Sequence, residues 1–320
     1  MHTRRDYQPP GLPGGVPAHR WGRPAVTILY RVQHYAPGNM IAVVTDSTSD
    51  LAPDLARQLG IHVVPLTVHM NGRALLDWQE VHPDGVYEHL RAGHAASSEP
   101  ASPERFVQLY RELLTTHDQV ISLHISSKLS ETVRNAERAA MQLPEPGRVY
   151  VLDSRLTTAP LADLVLRMQE SVQAGTPAET AVQALDEYRD EQYMEFSVAT
   201  LEYLRRGGRI SRVTEVMGNL VGLRPVLTFQ NGELKVIRRA RSKETAENIL
   251  QSLVERFGSQ PVHLTITHAG TDPVRIRALR DAAQQSGLTI RQGKVMLLGP
   301  VIGAHVGPGT FGFMARPYTD

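Results

Sequence analysis

Three hydroxyl-rich segments stand where a strand pattern gives way to a helix pattern. They are Asp46-Ser47-Thr48-Ser49, Ser126-Ser127-Lys128-Leu129-Ser130 and Asp153-Ser154-Arg155-Leu156-Thr157-Thr158. Serine and threonine hydroxyls donate hydrogen bonds without bringing a charge of their own. A helix start adds unpaired N–H groups and the positive end of a dipole. In an open parallel sheet the carboxyl ends of the strands share one edge, and ligands bind along it. Such an edge suits a carboxylate or a small phosphate. Any one of these segments is ordinarily a helix cap and nothing more. Three of them converging on one edge point to a ligand.

Reactive chemistry has weaker support. The chain contains no cysteine, which excludes disulfides, thiolate metal sites and a cysteine nucleophile. The histidines, among them His62, His69, His82, His89 and His268, show no H-E-x-x-H or related spacing, so no metal is assigned. A serine hydrolase with Ser130 or Ser127 as nucleophile and His305 as base is one alternative, but no G-x-S-x-G elbow occurs. A second alternative carries phosphate on His305. No G-x-x-x-x-G-K-[ST] loop is present to hold a nucleotide for it.

The elements that must position these residues alternate between strand and helix, which predicts an α/β fold with parallel strands. Strands are expected over Ile41–Thr45, Ile61–Val68, Val120–Ile125 and Arg148–Leu152, with helices from Pro53 to Gly60, from Ser102-Pro103 through Leu114, and over Ser130–Met141. Helices over Pro160–Ala174 and Pro177–Asp190 lead into a second half. There Val226–Phe229 and Leu234–Ile237 flank Asn231-Gly232 and read as a hairpin. Helices near Lys243–Phe257 and Pro273–Ser286, a strand at Val262–Thr267 and a closing strand pair complete it. Two lobes follow, residues 40–152 and 153–320, the first built on an open, mainly parallel sheet.

The first 39 residues differ from this body. They hold five arginines and one acid, with six prolines and five glycines, and are expected to be disordered. Translation from a wrongly chosen start would also produce such a segment, with Met40 as the natural beginning. Of the 34 bases and 33 acids in the chain, 29 bases and 32 acids remain after it. A slightly acidic body has no electrostatic footprint for nucleic acid. No apolar run reaches the roughly 18 residues a spanning helix needs, and a cytoplasmic location without integral membrane association is expected.

Four segments resemble the successive signatures of the DegV family: Thr45-Asp46-Ser47-Thr48-Ser49-Asp50-Leu51, Ile125-Ser126-Ser127-Lys128-Leu129-Ser130, Tyr203-Leu204-Arg205-Arg206-Gly207-Gly208-Arg209-Ile210-Ser211 and His305-Val306-Gly307-Pro308-Gly309. Their order and spacing match over Met40–Phe313, and residues 40–316 would form one DegV domain. The resemblance implies two α/β lobes enclosing a long-chain fatty acid of about C16–C18, with no other cofactor and no turnover by the chain alone. It also implies a partner, the ATP-binding subunit of a fatty acid kinase, which converts the presented acid to acyl phosphate for phospholipid metabolism. Carried onto this chain, it places the carboxylate against Ser97, Ser98 and Ser130, with His305 and Arg209 near the head group. Ser97 stands where related sequences carry the ligand-binding threonine. Asp46, Ser47, Thr48, Ser126, Ser127 and Thr157 would support the pocket, while Arg205 and Arg206 face solvent or the kinase.

The chain departs from the family pattern at Glu99, at Glu131, and in Thr157-Thr158-Ala159-Pro160. Glu131 matters most, because a carboxylate beside a bound carboxylate would repel it. At the first turn of a helix, however, glutamate is an ordinary dipole partner and is expected to point outward. Burial of roughly 14 methylenes at ~0.8 kcal/mol each contributes a gross ~11 kcal/mol. Each hydroxyl contact adds only ~1 kcal/mol. Affinity would therefore come from the hydrocarbon and orientation from the hydroxyls.

Overall fold

A computed structural model describes residues 40–210 and 222–319. The disorder expected of residues 1–39 lies outside the described residues, as does Ser211. In chain order the first half contains β1 (Ile41–Asp46), α1 (Pro53–Leu59), β2 (Ile61–Val64), β3 (Thr67–Met70), β4 (Arg73–Leu76), α2 (Pro83–Arg91) and β5 (Ser97–Glu99). It continues through α3 (Pro103–Leu113), β6 (Gln119–His124), α4 (Thr132–Ala140), β7 (Val149–Asp153), α5 (Thr158–Gln173), α6 (Ala178–Gln183) and α7 (Leu185–Asp190). The second half runs β8 (Tyr193–Ser197), α8 (Glu202–Arg206), β9 (Leu223–Gln230), β10 (Glu233–Arg241) and α9 (Thr245–Phe257). It ends with β11 (Val262–His268), α10 (Pro273–Gln285), β12 (Ile290–Leu297), α11 (Pro300–Val306) and β13 (Phe311–Pro317).

The first sheet is wholly parallel, in the order β2-β1-β6-β7. Both of its faces are covered. Ala42, Val44 and Val120 pack into one core, while Ile41, Val43, Ile121 and Leu123 pack into another. Burial on two sides is why β1 reads as an unbroken apolar run instead of an alternating one. The second sheet, β10-β9-β8-β13-β11-β12, is mostly antiparallel. Its strands alternate as a two-faced sheet must. Phe311, Phe313 and Ala315 face the core under α9 and α10, whereas Met194, Phe196, Leu227 and Met314 face the first lobe.

The fold is the expected two-lobed α/β arrangement, but several elements differ in placement. The strand expected over Ile61–Val68 breaks in two. Pro65 has no N–H to give a ladder, and the next N–H, that of Leu66, goes to Ser47 Oγ at 3.0 Å. Past the break, β3 joins β4 and β5 in a separate small antiparallel sheet. The helix expected over Pro177–Asp190 is two short helices meeting at Ala184. The closing strands are not partners of each other: β11 lies between β12 and β13, and α11 bridges the gap. The lobe boundary expected after Leu152 also shifts. Leu161, Leu164 and Met168 of α5 and Ala181 of α6 share a core with the parallel sheet, so the chain crosses to the second lobe only at β8. The hairpin matches its signature, with Asn231 (φ 51°) and Gly232 (φ 83°) both in the left-handed region that a type I′ turn requires.

Asp46, at the end of β1, is fully buried and fixes the first loop. Its Oδ1 accepts hydrogen bonds from the Thr48 N–H at 3.0 Å and the Thr48 hydroxyl at 2.5 Å, while its Oδ2 accepts from the Ile125 N–H at 2.9 Å and lies 3.1 Å from His124 Nδ1. The same side chain therefore ties the carboxyl ends of β1 and β6 together. Replacing Asp46 with alanine leaves buried donors unpaired at ~1–3 kcal/mol each. Asp46→Ala is expected to destabilise the fold by about 3 kcal/mol or more, read from the urea unfolding midpoint at unchanged slope. A midpoint within experimental error of the wild type would show that the loop is held by other contacts.

Candidate functional site

Between the carboxyl edge of the parallel sheet and the inner face of the second sheet lies a cavity of about 680 Å³, counting the space at its mouth. Most of its wall is apolar: Ile125 and Leu129 from the first lobe, and Met194, Phe196, Phe229, Leu234 and Leu298 from the second. Ser98, Ser130, Thr157, Thr158, Thr267, Thr310, His305 and Arg209 supply the polar part.

α11 carries His305 into this space. The helix starts at Pro300 after Gly299 and packs across the lobe boundary, so Val301 and Ala304 sit in a first-lobe core. Its attachment is polar. The Gly299 N–H donates to Asp50 Oδ1 at 2.9 Å, the Val301 N–H to Asp77 Oδ1 at 3.4 Å, and the Tyr87 hydroxyl to the Leu298 carbonyl at 3.0 Å. Position 299 has to be glycine, because a Cβ there would come within 2.4 Å of Asp50 Oδ1 and 2.5 Å of Trp78 Nε1.

His305 Nε2 lies 2.7 Å from Ser98 Oγ. The ring packs on Gly207, where an added Cβ would meet Nδ1 at 2.2 Å, which accounts for one glycine of the Gly207-Gly208 pair. Nδ1 has no hydrogen-bond partner among the described residues. One donor is left over in either tautomer: the Ser98 O–H if Nε2 holds the proton, or Nδ1–H if it does not. Burial, and then the nearby Arg209 guanidinium, push the imidazole down to about 4, so His305 is neutral at physiological pH.

Arg209 is half-buried beside it. It donates to the carbonyls of Leu129 at 3.2 Å and of Gly207, and it forms no ion pair with any described carboxylate. A partly desolvated guanidinium held only by carbonyl dipoles is a natural counter-charge for an anion. Ser130 completes the polar end. Its oxygen bonds the Thr132 hydroxyl at 2.9 Å and accepts from the Thr132 N–H at 3.3 Å.

Of the residues singled out in the sequence, Ser98, Ser130, His305, Arg209 and Thr157 line the cavity. Ser97 does not. It is exposed, on the face of β5 opposite Ser98, because neighbouring residues of a strand point to opposite sides. Asp46, Ser47, Thr48, Ser126 and Ser127 are absent from the wall, and their polar atoms serve the fold. Ser47 holds the Leu66 N–H, the Ser126 hydroxyl donates to the Gly232 carbonyl at 2.7 Å, and the Ser127 hydroxyl donates to Asp153 at 2.5 Å. Glu131 points outward, exposed and paired with Arg134, so it sets no negative charge beside the cavity. Glu99, also exposed, lies 3.1 Å from His69.

The sequence reading missed Thr158. It begins α5 with φ at 52°, an unfavourable conformation for a β-branched residue. Its buried hydroxyl lines the cavity with no partner among the described residues. Its sequence signals were its place at the end of the hydroxyl-rich Asp153-Ser154-Arg155-Leu156-Thr157-Thr158 segment and in the departing Thr157-Thr158-Ala159-Pro160 segment.

Comparison with known proteins agrees with this geometry. A family model described as "Uncharacterised protein, DegV family" matches residues 40–318. The chain belongs to the DegV family. A DegV domain-containing protein of Deinococcus radiodurans is 34% identical over 284 residues, covering 87% of this chain and 98% of its own length. Among solved structures, a fatty-acid-binding DegV family protein from Thermus thermophilus superimposes with a TM-score of 0.81 at 40% identity, over 87% of this chain and all of that one. DegV of Bacillus subtilis, described as a fatty acid binding protein, gives 0.78 at 26% identity, covering 88% of this chain and 100% of its own. Among the described residues, no helix is long and apolar enough to cross a membrane.

The attachment of α11 is pH-sensitive. Burial pushes Asp77 from 3.8 up to about 7, against the opposing hydrogen bonds from Ser47 and Val301; Asp50 is raised too, by burial and by the charge of Asp77. The folded chain thus keeps the Asp77 proton where the unfolded chain has lost it. This group's contribution to stability is largest near pH 4 and fades as pH rises toward 7. Asp77→Asn is expected to remove that fall, so that melting temperatures of wild type and variant diverge in the variant's favour between pH 4 and pH 8. A constant difference across that range would contradict the assignment.

Proposed function

We propose that this DegV chain binds one long-chain fatty acid between its lobes and acts as a carrier that does not transform the ligand. The observation that carries the proposal is the division of the cavity. Its wall is apolar through most of its extent, whereas Ser98 touches His305, Arg209 lies close enough to His305 to shift it, and the same guanidinium bonds the carbonyl of Leu129, the neighbour of Ser130. Binding of fatty acids by the Thermus and Bacillus relatives supports the same reading. The carboxylate would receive the spare donor of the Ser98–His305 pair and the Ser130 hydroxyl, with Arg209 balancing its charge. The acyl chain would occupy the space bounded by Leu129, Phe196, Phe229 and Leu298. Presentation of the acid to a separate kinase subunit in the cytoplasm is the second half of the proposal. It fits a ligand whose carboxylate must be reached from outside while its chain stays buried.

The 2.7 Å contact between Ser98 and His305 also has the form of a nucleophile beside its base, which favours hydrolysis of an acyl ester as a competing reading. The hydrolase anticipated in the sequence paired His305 with Ser130 or Ser127 instead, but Ser130 bonds Thr132 and Ser127 bonds Asp153. A general base must take up a proton as the nucleophile attacks. Burial and Arg209 both oppose protonation of His305, the reverse of what a buried carboxylate does in a serine triad. Turnover of a chromogenic acyl ester, lost in Ser98→Ala, would restore the hydrolase.

The carrier reading is tested with delipidated protein and palmitate. Hydrogen bonds to a charged acceptor contribute ~1.5–3 kcal/mol each. Ser98→Ala combined with Ser130→Ala is therefore expected to weaken binding by about a hundredfold or more, with the far-ultraviolet spectrum unchanged. Ser97→Ala is expected to bind as the wild type does. Wild-type affinity in the double variant would place the head-group site elsewhere.

A further inference from the structure

We propose, building on the fatty-acid reading, that Met194 and Phe229 form a tail stop that sets the longest acyl chain the cavity accepts. The directions of the strands locate the two ends of the slot. β8 ends at Ser197, and the chain then passes through α8 to Gly207, on which His305 packs. Met194 lies three residues back along β8, about 10 Å from that end. β9 begins beside the same end, where Arg224 donates to Ser197 Oγ at 3.1 Å. Val226 is the residue opposite Ser197, so Phe229, three residues further on, is also about 10 Å from that end and level with Met194. A ligand whose carboxylate meets Ser98 and His305 therefore directs its methyl end toward Met194 and Phe229.

Behind these two side chains the protein is open again. A second cavity of about 270 Å³ is walled by Met194 and Phe229 on one side and by Leu156, Arg189, Gln192 and Thr228 elsewhere. Met194 and Phe229 are the residues common to both cavities, so they form the partition. The space beyond is mixed, with Leu156 and Pro160 beside the polar groups of Arg189, Gln192 and Thr228. Gln192 Oε1 is buried there without a hydrogen-bond partner among the described residues, and a methylene entering beside it would keep it unpaired at a free-energy cost. The partition is also yielding on one side. Met194 is unbranched and flexible, and its terminal methyl lies over Gly312, where an added Cβ would come within 3.0 Å of it. Phe229 is firmer, because its ring packs on Phe196 with centroids 5.9 Å apart. The length limit thus combines a steric stop at Met194 with a partly polar space that does not reward further methylenes.

The test uses the delipidated full chain and a graded series of saturated straight-chain acids, with affinities from displacement of a fluorescent fatty acid. In the wild type each added methylene is expected to raise affinity about fourfold until a break length, beyond which affinity drops. Met194→Ala removes three heavy atoms from the partition and is expected to move the break by about two methylenes. Acids just beyond the wild-type break would then gain roughly tenfold. Phe229→Leu is expected to shift the break in the same direction, and thermal melting of both variants establishes that they are folded. Two folded variants that keep the wild-type break would overturn the tail stop while leaving fatty-acid binding intact. Failure of the wild type to bind any acid would overturn the fatty-acid reading, and the tail stop with it.

Discussion

A large apolar space inside a folded chain is costly, because the atoms around it lose the dispersion contacts that a close-packed interior provides. Two independently stiff sheets keep this one open. The parallel sheet is locked at its carboxyl edge by Asp46, which joins β1 to β6 through the Thr48, Ile125 and His124 contacts. The six-stranded sheet is backed by its own core under α9 and α10. Neither sheet can collapse into the gap without breaking its own packing. The lobes are joined by the apolar packing of α11 on the first-lobe core and by polar contacts that include Ser126 to the hairpin tip, Asp163 to Arg316 at 2.9 Å, and Asp50 and Asp77 to the start of α11. A ligand that fills the space recovers the missing contacts, and the cavity then contributes to binding instead of detracting from stability.

Charge at the polar end follows the same logic. A carboxylate moved from water into a half-buried site needs donors and a nearby positive group. Among the described residues Arg209 is bonded to carbonyls and supplies the charge, and the neutral Ser98–His305 pair supplies a donor that does not depend on pH near neutrality. Glu131 would have upset this balance had it turned inward. Its pairing with Arg134 on the outer surface of α4 removes the conflict.

Much of the fold was legible because local chemistry and global topology agree in those places. Prolines 53, 103 and 273 begin helices, Asn231-Gly232 makes the hairpin, and the uninterrupted apolar run of β1 reports burial on both faces. What stayed hidden depends on pairing, which no single segment encodes. Whether Ser97 or Ser98 faces the ligand is decided by the parity of β5 against β3, with Val68 opposite Ser98. That register cannot be inferred until the break at Pro65 is known to release β3 from the parallel sheet. The hydroxyls of the first two loops illustrate a second limit. Ser47, Thr48 and Ser126 have the composition of an anion site, yet Ser47 and Ser126 are consumed by backbone partners brought from elsewhere in the chain and Thr48 by Asp46 of its own loop. Thr158 was missed for the converse reason: a strained backbone and an unpartnered hydroxyl are properties of three-dimensional structure, not of residue type.

On this reading the space between the lobes is a lipid slot whose polar end combines neutral hydroxyls and His305 with the Arg209 guanidinium. Mass spectrometry of an organic extract from the purified, denatured protein tests it most directly. The account predicts a long-chain fatty acid at close to one per chain. Protein that yields no lipid after expression in lipid-replete cells, or that releases a polar metabolite in its place, would contradict it.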